Sequence, residues 1–282
     1  MKLSFKSRKR REQEAFALAY TRGHSMTRDI WRRLLRDKSS VISMGFLCLV
    51  IFLAIFANLL FTLQNSAIRN QPPSFEHWFG TDLYGRDIFI RMVFGSRVSL
   101  TIGIVTMAVS MIIGGLLGAI AAYFGGKLDG VIMRITDMFM AIPETLLALC
   151  VVAAMAGNCR LVRSTVLGIV DTEYVEAARA SGMKNIGIIV KEIIPNSLGP
   201  IIVVSTQGIA NLMLTASSLS YLGMGIQPPN PEWGAMIAEA REFLRSDPYM
   251  CVIPGIVIVL TALSFNLLGD GLRDAMDPRL KD

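Results

Sequence analysis

Charged side chains of both signs lie close together at Asp82, Arg86, Asp87 and Arg91. Two neighbouring carboxylates could serve as a general acid and base, or bind a metal ion. Neither chemistry is favoured, because no cluster of histidines or further metal ligands accompanies them, and His77 lies among interfacial aromatic residues. The spacing instead predicts Asp–Arg pairs that stabilise turns and a short interfacial helix.

A nucleotide-binding loop is the second chemistry that the sequence could carry. Such a loop requires Gly-x-x-x-x-Gly-Lys followed by Ser or Thr. Lys127 follows Gly126 but is itself followed by Leu128, and Ala121 occupies the first glycine position. The four cysteines show no Cys-x-x-Cys spacing, so neither a zinc site nor a disulfide framework is indicated. We therefore expect no catalytic residue, no bound cofactor and no metal in this chain.

The charged stretch at residues 173–182, EYVEAARASG, is short and helix-favouring, yet it lies among apolar segments. Gly182 either ends this helix or allows close contact. A second apolar stripe at residues 186–194 precedes Pro195. The pattern predicts two short helices joined at a glycine. It fits an amphipathic helix on the lipid surface as well as it fits a rigid plug for a groove on another protein.

Composition indicates which elements must position these residues. Of the 282 residues, 52% are hydrophobic and 18% are charged, and the mean hydropathy is +0.50, which is typical of a polytopic membrane protein. The net charge of +6 is concentrated in residues 1–40, with twelve Lys or Arg and four Asp or Glu. A basic arm before an apolar run predicts a cytoplasmic N-terminus and a retained first helix, rather than a nucleic-acid partner.

Several apolar stretches are long enough to cross a bilayer core of about 30 Å as helices. They are residues 41–63, 99–124, 137–157, 198–221 and 250–268. Small residues recur within them and allow helices to pack closely in lipid. The sequence therefore predicts an all-α polytopic membrane helical bundle with five evident transmembrane helices.

The distribution of basic residues conflicts with five crossings. If the N-terminus is inside, three crossings leave residues 160–191 outside, although this segment carries five Lys or Arg. A run of about twenty residues reaches about 30 Å as a helix, so residues 137–157 can supply only one crossing. The sequence therefore predicts that a transmembrane helix is absent between about Gly157 and Arg160.

The stretch EYVEAARASG, together with the residues up to Pro195, resembles the coupling loop of permease subunits of bacterial ABC importers. That loop has Glu-Ala-Ala, three residues, Gly and a later Pro, which here are Glu176, Ala177, Ala178, Gly182 and Pro195. Further segments resemble, in order, the C-type permeases for oligopeptides and dipeptides. They are residues 79–100, 124–143, 220–237 and 266–280. The resemblance runs from about Thr27 onward, with Glu192 as a departure from the general motif.

The resemblance implies a six-span bundle in the bacterial cytoplasmic membrane, with a cytoplasmic coupling helix between the fourth and fifth spans. Here AAMAGN runs directly into CRLVR, so about one helix length is missing. The implied coupling residues are Glu173, Tyr174, Glu176, Ala177, Ala178, Arg179 and Gly182. The implied extracytoplasmic motif is Gly80, Asp82, Gly85, Arg86 and Asp87. Substrate-binding residues stay unassigned.

The implied function is ATP-driven import of di- or oligopeptides. The implied partners are a second homologous permease, two ATPase subunits that hold ATP and magnesium, an extracytoplasmic solute-binding protein and the lipid bilayer. Two alternatives stay open, namely an importer of nickel or another small solute, and an inactive remnant or scaffold. We divide the chain into an arm (1–40), a first helix with an extracytoplasmic segment (41–98), and a permease domain (99–282) with its coupling loop at 160–196.

Overall fold

The computed structural model describes residues 26–62, 69–142, 150–227 and 229–276, so residues 1–25 of the basic arm lie outside the described part. The regular elements of the described part are helices. In chain order they are α1 (Met26–Leu34), α2 (Lys38–Leu60), α3 (Ile88–Phe124), α4 (Gly126–Met140), α5 (Cys150–Leu167), α6 (Glu173–Ala180), α7 (Asn185–Tyr221), α8 (Trp233–Ala240) and α9 (Tyr249–Met276). The predicted all-α polytopic bundle is confirmed. Within the described residues, α2, α3, α7 and α9 are long and apolar enough to cross a membrane.

The first span begins at a carboxylate cap. The Asp37 side chain accepts hydrogen bonds from the backbone N–H groups of Ser39 and Ser40, at 3.3 and 2.9 Å, and from both hydroxyls. These bonds, led by the one from the Ser39 hydroxyl, lower the pKa of Asp37 to about 2. The cap satisfies N–H groups that have no partner within the helix, so α2 starts at Lys38.

The second span is longer than the predicted residues 99–124. Asp87 caps α3 by accepting from the backbone N–H of Ile90 at 3.1 Å, and the helix continues unbroken to Phe124. The predicted interfacial helix is therefore the first part of this span. The proposed boundary between residues 98 and 99 falls inside α3.

The single helix predicted at residues 137–157 is wrong, because the described residues of this stretch belong to two helices, α4 up to Met140 and α5 from Cys150. Arg163, near the end of α5, pairs with Asp129 near the start of α4, and Arg160 pairs with Asp137. The two helices are therefore antiparallel. The prediction failed because each helix also uses residues outside the apolar run. Their 15 and 18 residues give about 22 and 27 Å of helix.

The direction of α5 resolves the conflict in the charge distribution. Asn158 donates a hydrogen bond from Nδ2 to Oγ of Ser110 at 3.0 Å. Further along both helices, a Cβ atom added to Gly118 would lie 2.9 Å from the backbone nitrogen of Arg163. Because residues further along α3 contact residues further along α5, the two helices are parallel. The α4–α5 hairpin thus returns the chain to the side where α3 ends, which is the side of the N-terminal arm.

The two short helices predicted around Gly182 are only half correct. The helix before the glycine is α6, but the second apolar stripe is the start of the long α7. Residues Ile189–Ile193 form a π-helical turn directly before Pro195. The Asn196 side chain donates to the Glu192 carbonyl oxygen at 2.6 Å, so a backbone group near the proline is satisfied and the helix continues.

Two groups of buried residues hold the bundle together. The first group joins α2, α3, α7, α8 and α9 around Ile88, Met213 and Trp233. It lies in the middle of the bundle and at the end opposite the N-terminal arm. The second, which we call the inner core, joins α3, α5, α6 and α7 around Val166, Val175 and Ile188. The inner core thus connects the short charged helix α6 directly to three long helices.

Candidate coupling element and extracytoplasmic clamp

The segment before α3 is a glycine-dependent turn centred on one carboxylate. Gly80 and Gly85 have φ values of +79° and +75°, a region that other residues rarely adopt. Oδ1 of Asp82 accepts hydrogen bonds from the backbone N–H groups of Tyr84 and Arg86, both at 2.9 Å. This turn places the other oxygen of Asp82 toward α3 and α8.

Two carboxylates and two guanidinium groups meet at that point. Oδ2 of Asp82 lies 2.7 Å from Nε of Arg86 and 2.7 Å from Nη1 of Arg91. Oε2 of Glu239, on α8, lies 2.8 Å from Arg86 and 2.9 Å from Arg91. We call these four residues the extracytoplasmic clamp. Its charges balance, and Arg91 is 4% exposed, so removing one member leaves a buried charge uncompensated.

His77 was interpreted as a structural residue among interfacial aromatic side chains, and the structure places it beside one of the acidic residues. Its Nδ1 lies 2.8 Å from Oδ2 of Asp87, the same carboxylate that caps α3. No local pattern predicted this pair, because ten residues separate its members. The expected Asp–Arg pairing is present, since Arg86 and Arg91 both contact Asp82.

The start of α8 is held against α3 by polar contacts that the sequence analysis missed. Glu232, 1% exposed, caps α8 through the N–H groups of its first turn and also accepts from the hydroxyl of Ser99 at 3.2 Å. Nε1 of Trp233 donates to the Met92 carbonyl oxygen at 2.9 Å. A Cβ atom at Gly95 would lie 3.0 Å from the Trp233 ring. An acidic residue followed by a tryptophan in an apolar segment was the available signal.

The helix α6 has one face packed against its own chain and one exposed face. Val175 and Ala178 are buried in the inner core. The outward face carries most of the predicted coupling residues. These are Glu173, Tyr174, Glu176, Ala177 and Arg179, all exposed. The structure therefore brings those five together and separates Ala178 from them.

The end of α6 is tied to the end of α3. Gly182 has a φ of +80°, which ends α6, and no atom lies within 4 Å of where its Cβ would be. Among the described residues, Gly182 therefore serves the turn and makes no close contact. The Arg179 guanidinium lies 5.2 Å from the Tyr123 ring centre, and the Tyr123 hydroxyl donates to Oδ1 of Asn185 at 3.0 Å. Tyr123 thus contacts both sides of the turn.

The described side chains of the two sites form ion pairs and packing contacts. The carboxylates of the clamp are paired with guanidinium groups, which leaves them poorly suited to proton transfer. Within the described residues, no group of three or more His, Cys, Asp and Glu could hold a metal ion. What remains is a rigid outer contact between α3 and α8, and an exposed helix at the other end of the bundle.

Comparison with known proteins identifies the family of this chain. Residues 114–282 match the binding-protein-dependent transport system inner membrane components, and residues 25–73 match the N-terminal transmembrane domain of oligopeptide transport permease C. The chain belongs to this family of ABC importer permeases. As a family member it is a multi-pass membrane protein. It is a C-type peptide permease, as the resemblance of its sequence segments predicted.

Two curated relatives cover nearly the whole chain. The dipeptide transport system permease protein DppC of Alkalihalophilus pseudofirmus is 42% identical over 274 residues, which is 90% of each protein. The glutathione transport system permease protein GsiD of Pectobacterium atrosepticum is 42% identical over 275 residues, with 90% of this chain and 91% of the relative covered. The resemblance to C-type peptide permeases is thereby confirmed.

A solved structure shares the fold of the permease. It is a chain of the MetNI methionine ABC transporter in an inward-facing conformation, with a TM-score of 0.56 and 18% sequence identity. The match covers 66% of this chain and 96% of the other. At this identity the likeness concerns the fold.

Proposed function

We propose that this permease imports peptides and that α6 couples its movement to ATP hydrolysis on separate subunits. The relatives named for dipeptide and glutathione transport support a peptide as the solute. Family membership supports an assembly with a second homologous permease, two ATPase subunits that hold ATP and magnesium, and an extracytoplasmic solute-binding protein. This chain supplies the passage and the coupling contact, and the partner subunits supply the chemistry.

The observation that carries this proposal is the two-faced packing of α6. Val175 and Ala178 hold it to the inner core, while the charged and aromatic residues opposite them are exposed. A helix that merely rested on lipid would present an apolar outer face. The outer face here carries Glu173, Glu176 and Arg179, which suit a polar groove on another protein.

Movement can pass from α6 to the spans through packed side chains. The inner core joins α6 to α3, α5 and α7, and Tyr123 adds a contact between α6 and the end of α3. When ATP binding closes the ATPase pair, a seated α6 moves with it and tilts these helices together. The bundle then shifts between inward and outward access without any covalent step in this chain.

The nickel importer, the peptide importer and the inactive remnant predict different outcomes when the complex is reconstituted with its partner subunits. An importer of nickel would show ATP hydrolysis stimulated by a nickel-loaded binding protein, whereas a peptide importer responds to a peptide-loaded one. An inactive remnant would assemble without any substrate-stimulated hydrolysis. The two Asp–Arg pairs between α4 and α5 support a working bundle.

The decisive experiment is site-directed crosslinking in the assembled complex. Glu176→Cys should crosslink to the ATPase subunit, and the yield should change when ATP is added. Lys127→Cys is the matched control, because Lys127 is exposed on the same side of the membrane but lies on α4. Equal yields from both positions, or none from Glu176→Cys in a complex that hydrolyses ATP, would refute the coupling contact.

A further inference from the structure

A cavity of about 450 Å³ lies among α3, α4, α5 and α7. Its described lining is mainly apolar, with Met107, Phe139 and Leu212 among the larger side chains, and it includes no charged residue. Two amide side chains, Asn158 on α5 and Asn211 on α7, are the exceptions. An apolar cavity with a few convergent polar groups is the usual form of a small-ligand site.

The first amide has a defined orientation and an unused oxygen. The Ser110 hydroxyl donates to the Met107 carbonyl oxygen at 3.1 Å, so its single hydrogen is committed. Asn158 must therefore present its NH₂ group to that hydroxyl, as it does at 3.0 Å. Its Oδ1 accepts no hydrogen bond from any residue that the structure describes, although Asn158 is only 7% exposed. A ligand N–H would satisfy this acceptor.

The second amide approaches from the helix that continues out of the coupling loop. The Asn211 side chain is exposed and forms no hydrogen bond with the described residues, so both its donor and its acceptor are free. Uncharged donor and acceptor groups complement peptide bonds, which offer one N–H and one C=O each. They do not neutralise a phosphate, a metal ion or a charged terminus.

We propose that Asn158 and Asn211 bind backbone amides of a peptide as it passes through this cavity. Asn158 lies on α5, so the site belongs to the antiparallel pair of α4 and α5. Because Asn211 lies on α7, tilting of that helix would change the separation of the two amides and release the peptide. The inference rests on the proposed peptide-import function and adds the contact residues to it.

The test uses the complete complex in proteoliposomes, with trialanine and its analogue N-methylated at one peptide bond as probes. Each peptide is supplied bound to the solute-binding protein at saturation, so differences in capture do not enter. The variants are Asn158→Leu and Asn211→Leu, and Thr206→Val is the control. Thr206 lies on α7, but its hydroxyl bonds only the Ile202 carbonyl oxygen of the same helix.

The wild type should take up trialanine about 3- to 10-fold faster than the N-methylated analogue, as expected for loss of one hydrogen bond. Asn158→Leu should remove most of that preference, Asn211→Leu should slow both peptides, and Thr206→Val should match the wild type. Asn211 is exposed, so its variant keeps the test valid if Asn158→Leu folds poorly.

The outcomes separate this inference from the coupling proposal. If α6 crosslinks to the ATPase and ATP hydrolysis is stimulated, but both Leu variants behave like Thr206→Val, then lipid or the partner permease fills the cavity and the inference is overturned. If Gly182→Val loses stimulated hydrolysis, and Asn158→Leu separately loses the preference for trialanine, the coupling element and the cavity are both supported.

Discussion

Arg163 and Asp129 form a two-pronged ion pair between α5 and α4. Nε of Arg163 lies 2.5 Å from Oδ1 of Asp129, and Nη2 lies 2.6 Å from Oδ2. A planar guanidinium that meets both carboxylate oxygens fixes orientation as well as distance. With the second pair, Arg160 and Asp137, it sets the register of the hairpin that takes the place of the long third helix predicted from the sequence.

Exchanging the charges tests this register. Asp129→Asn should destabilise the hairpin by about 1–2 kcal/mol, because one side of a charge-assisted pair is lost. The double variant Asp129→Arg, Arg163→Asp should recover most of the loss. Thermal denaturation of the detergent-solubilised protein measures both, with Lys127→Gln as a control on the same helix. If the double variant lost as much stability as the two single variants Asp129→Arg and Arg163→Asp together, the pairing would be contradicted.

The close contact of α3 with α5 predicts a sharp contrast between two neighbouring glycines. A Cβ atom at Gly118 would collide with the Cys159 carbonyl oxygen, whereas one at Gly115 would lie 3.6 Å from Val162, an ordinary contact. Gly118→Ala should therefore cost about 3 kcal/mol, and Gly115→Ala should be nearly neutral. The midpoint of thermal unfolding distinguishes them. Similar midpoints would show that α3 and α5 are further apart.

The extracytoplasmic clamp predicts a penalty for neutralising Glu239. Glu239→Gln leaves two guanidinium groups against one carboxylate, and Arg91 is buried. We expect a loss of about 2–4 kcal/mol, with partial recovery when Arg86→Gln is added. Glu242→Gln is the matched control, because Glu242 is exposed nearby. Thermal unfolding that treats Glu239→Gln and Glu242→Gln alike would argue against the clamp.

Gly182 is expected to matter through its backbone conformation. Its φ of +80° disfavours β-branched residues, yet there is space around its Cβ position. Gly182→Asn should therefore retain coupled transport, since Asn tolerates a positive φ. Gly182→Val should reduce substrate-stimulated ATP hydrolysis severalfold, although the variant should insert normally into the membrane. If Asn and Val were equally harmful, the glycine would instead be needed for contact with the ATPase.

The side of the membrane on which α6 lies follows from the direction of α5. Lys184→Cys should react with an impermeant thiol reagent only from the cytoplasmic side, and Tyr84→Cys only from the opposite side. Both positions are exposed. Measurements on intact cells and inverted vesicles decide the matter, and labelling of the two variants from one side would refute this topology.

Patterns of hydropathy and spacing predicted α2, α7 and α9 because each buries enough apolar surface over a bilayer's width. The same reasoning failed at residues 137–157, where hydropathy does not reveal that the chain reverses. Packing between α3 and α5 and two Asp–Arg pairs select the hairpin there. Contacts such as those between Asp82, Arg91 and Glu239 link distant parts of the chain, so no local pattern could predict them.

The π-helical turn before Pro195 has a consequence for the distance over which α7 acts. Because the helix is unbroken over 37 residues, it is a rod about 55 Å long, well beyond the thickness of the hydrocarbon core. A rotation of only about ten degrees at its cytoplasmic end would displace the opposite end by about 10 Å over that length. Under the proposed coupling, a small movement of α6 would therefore produce a displacement at the opposite end of α7 that is wider than an extended peptide backbone.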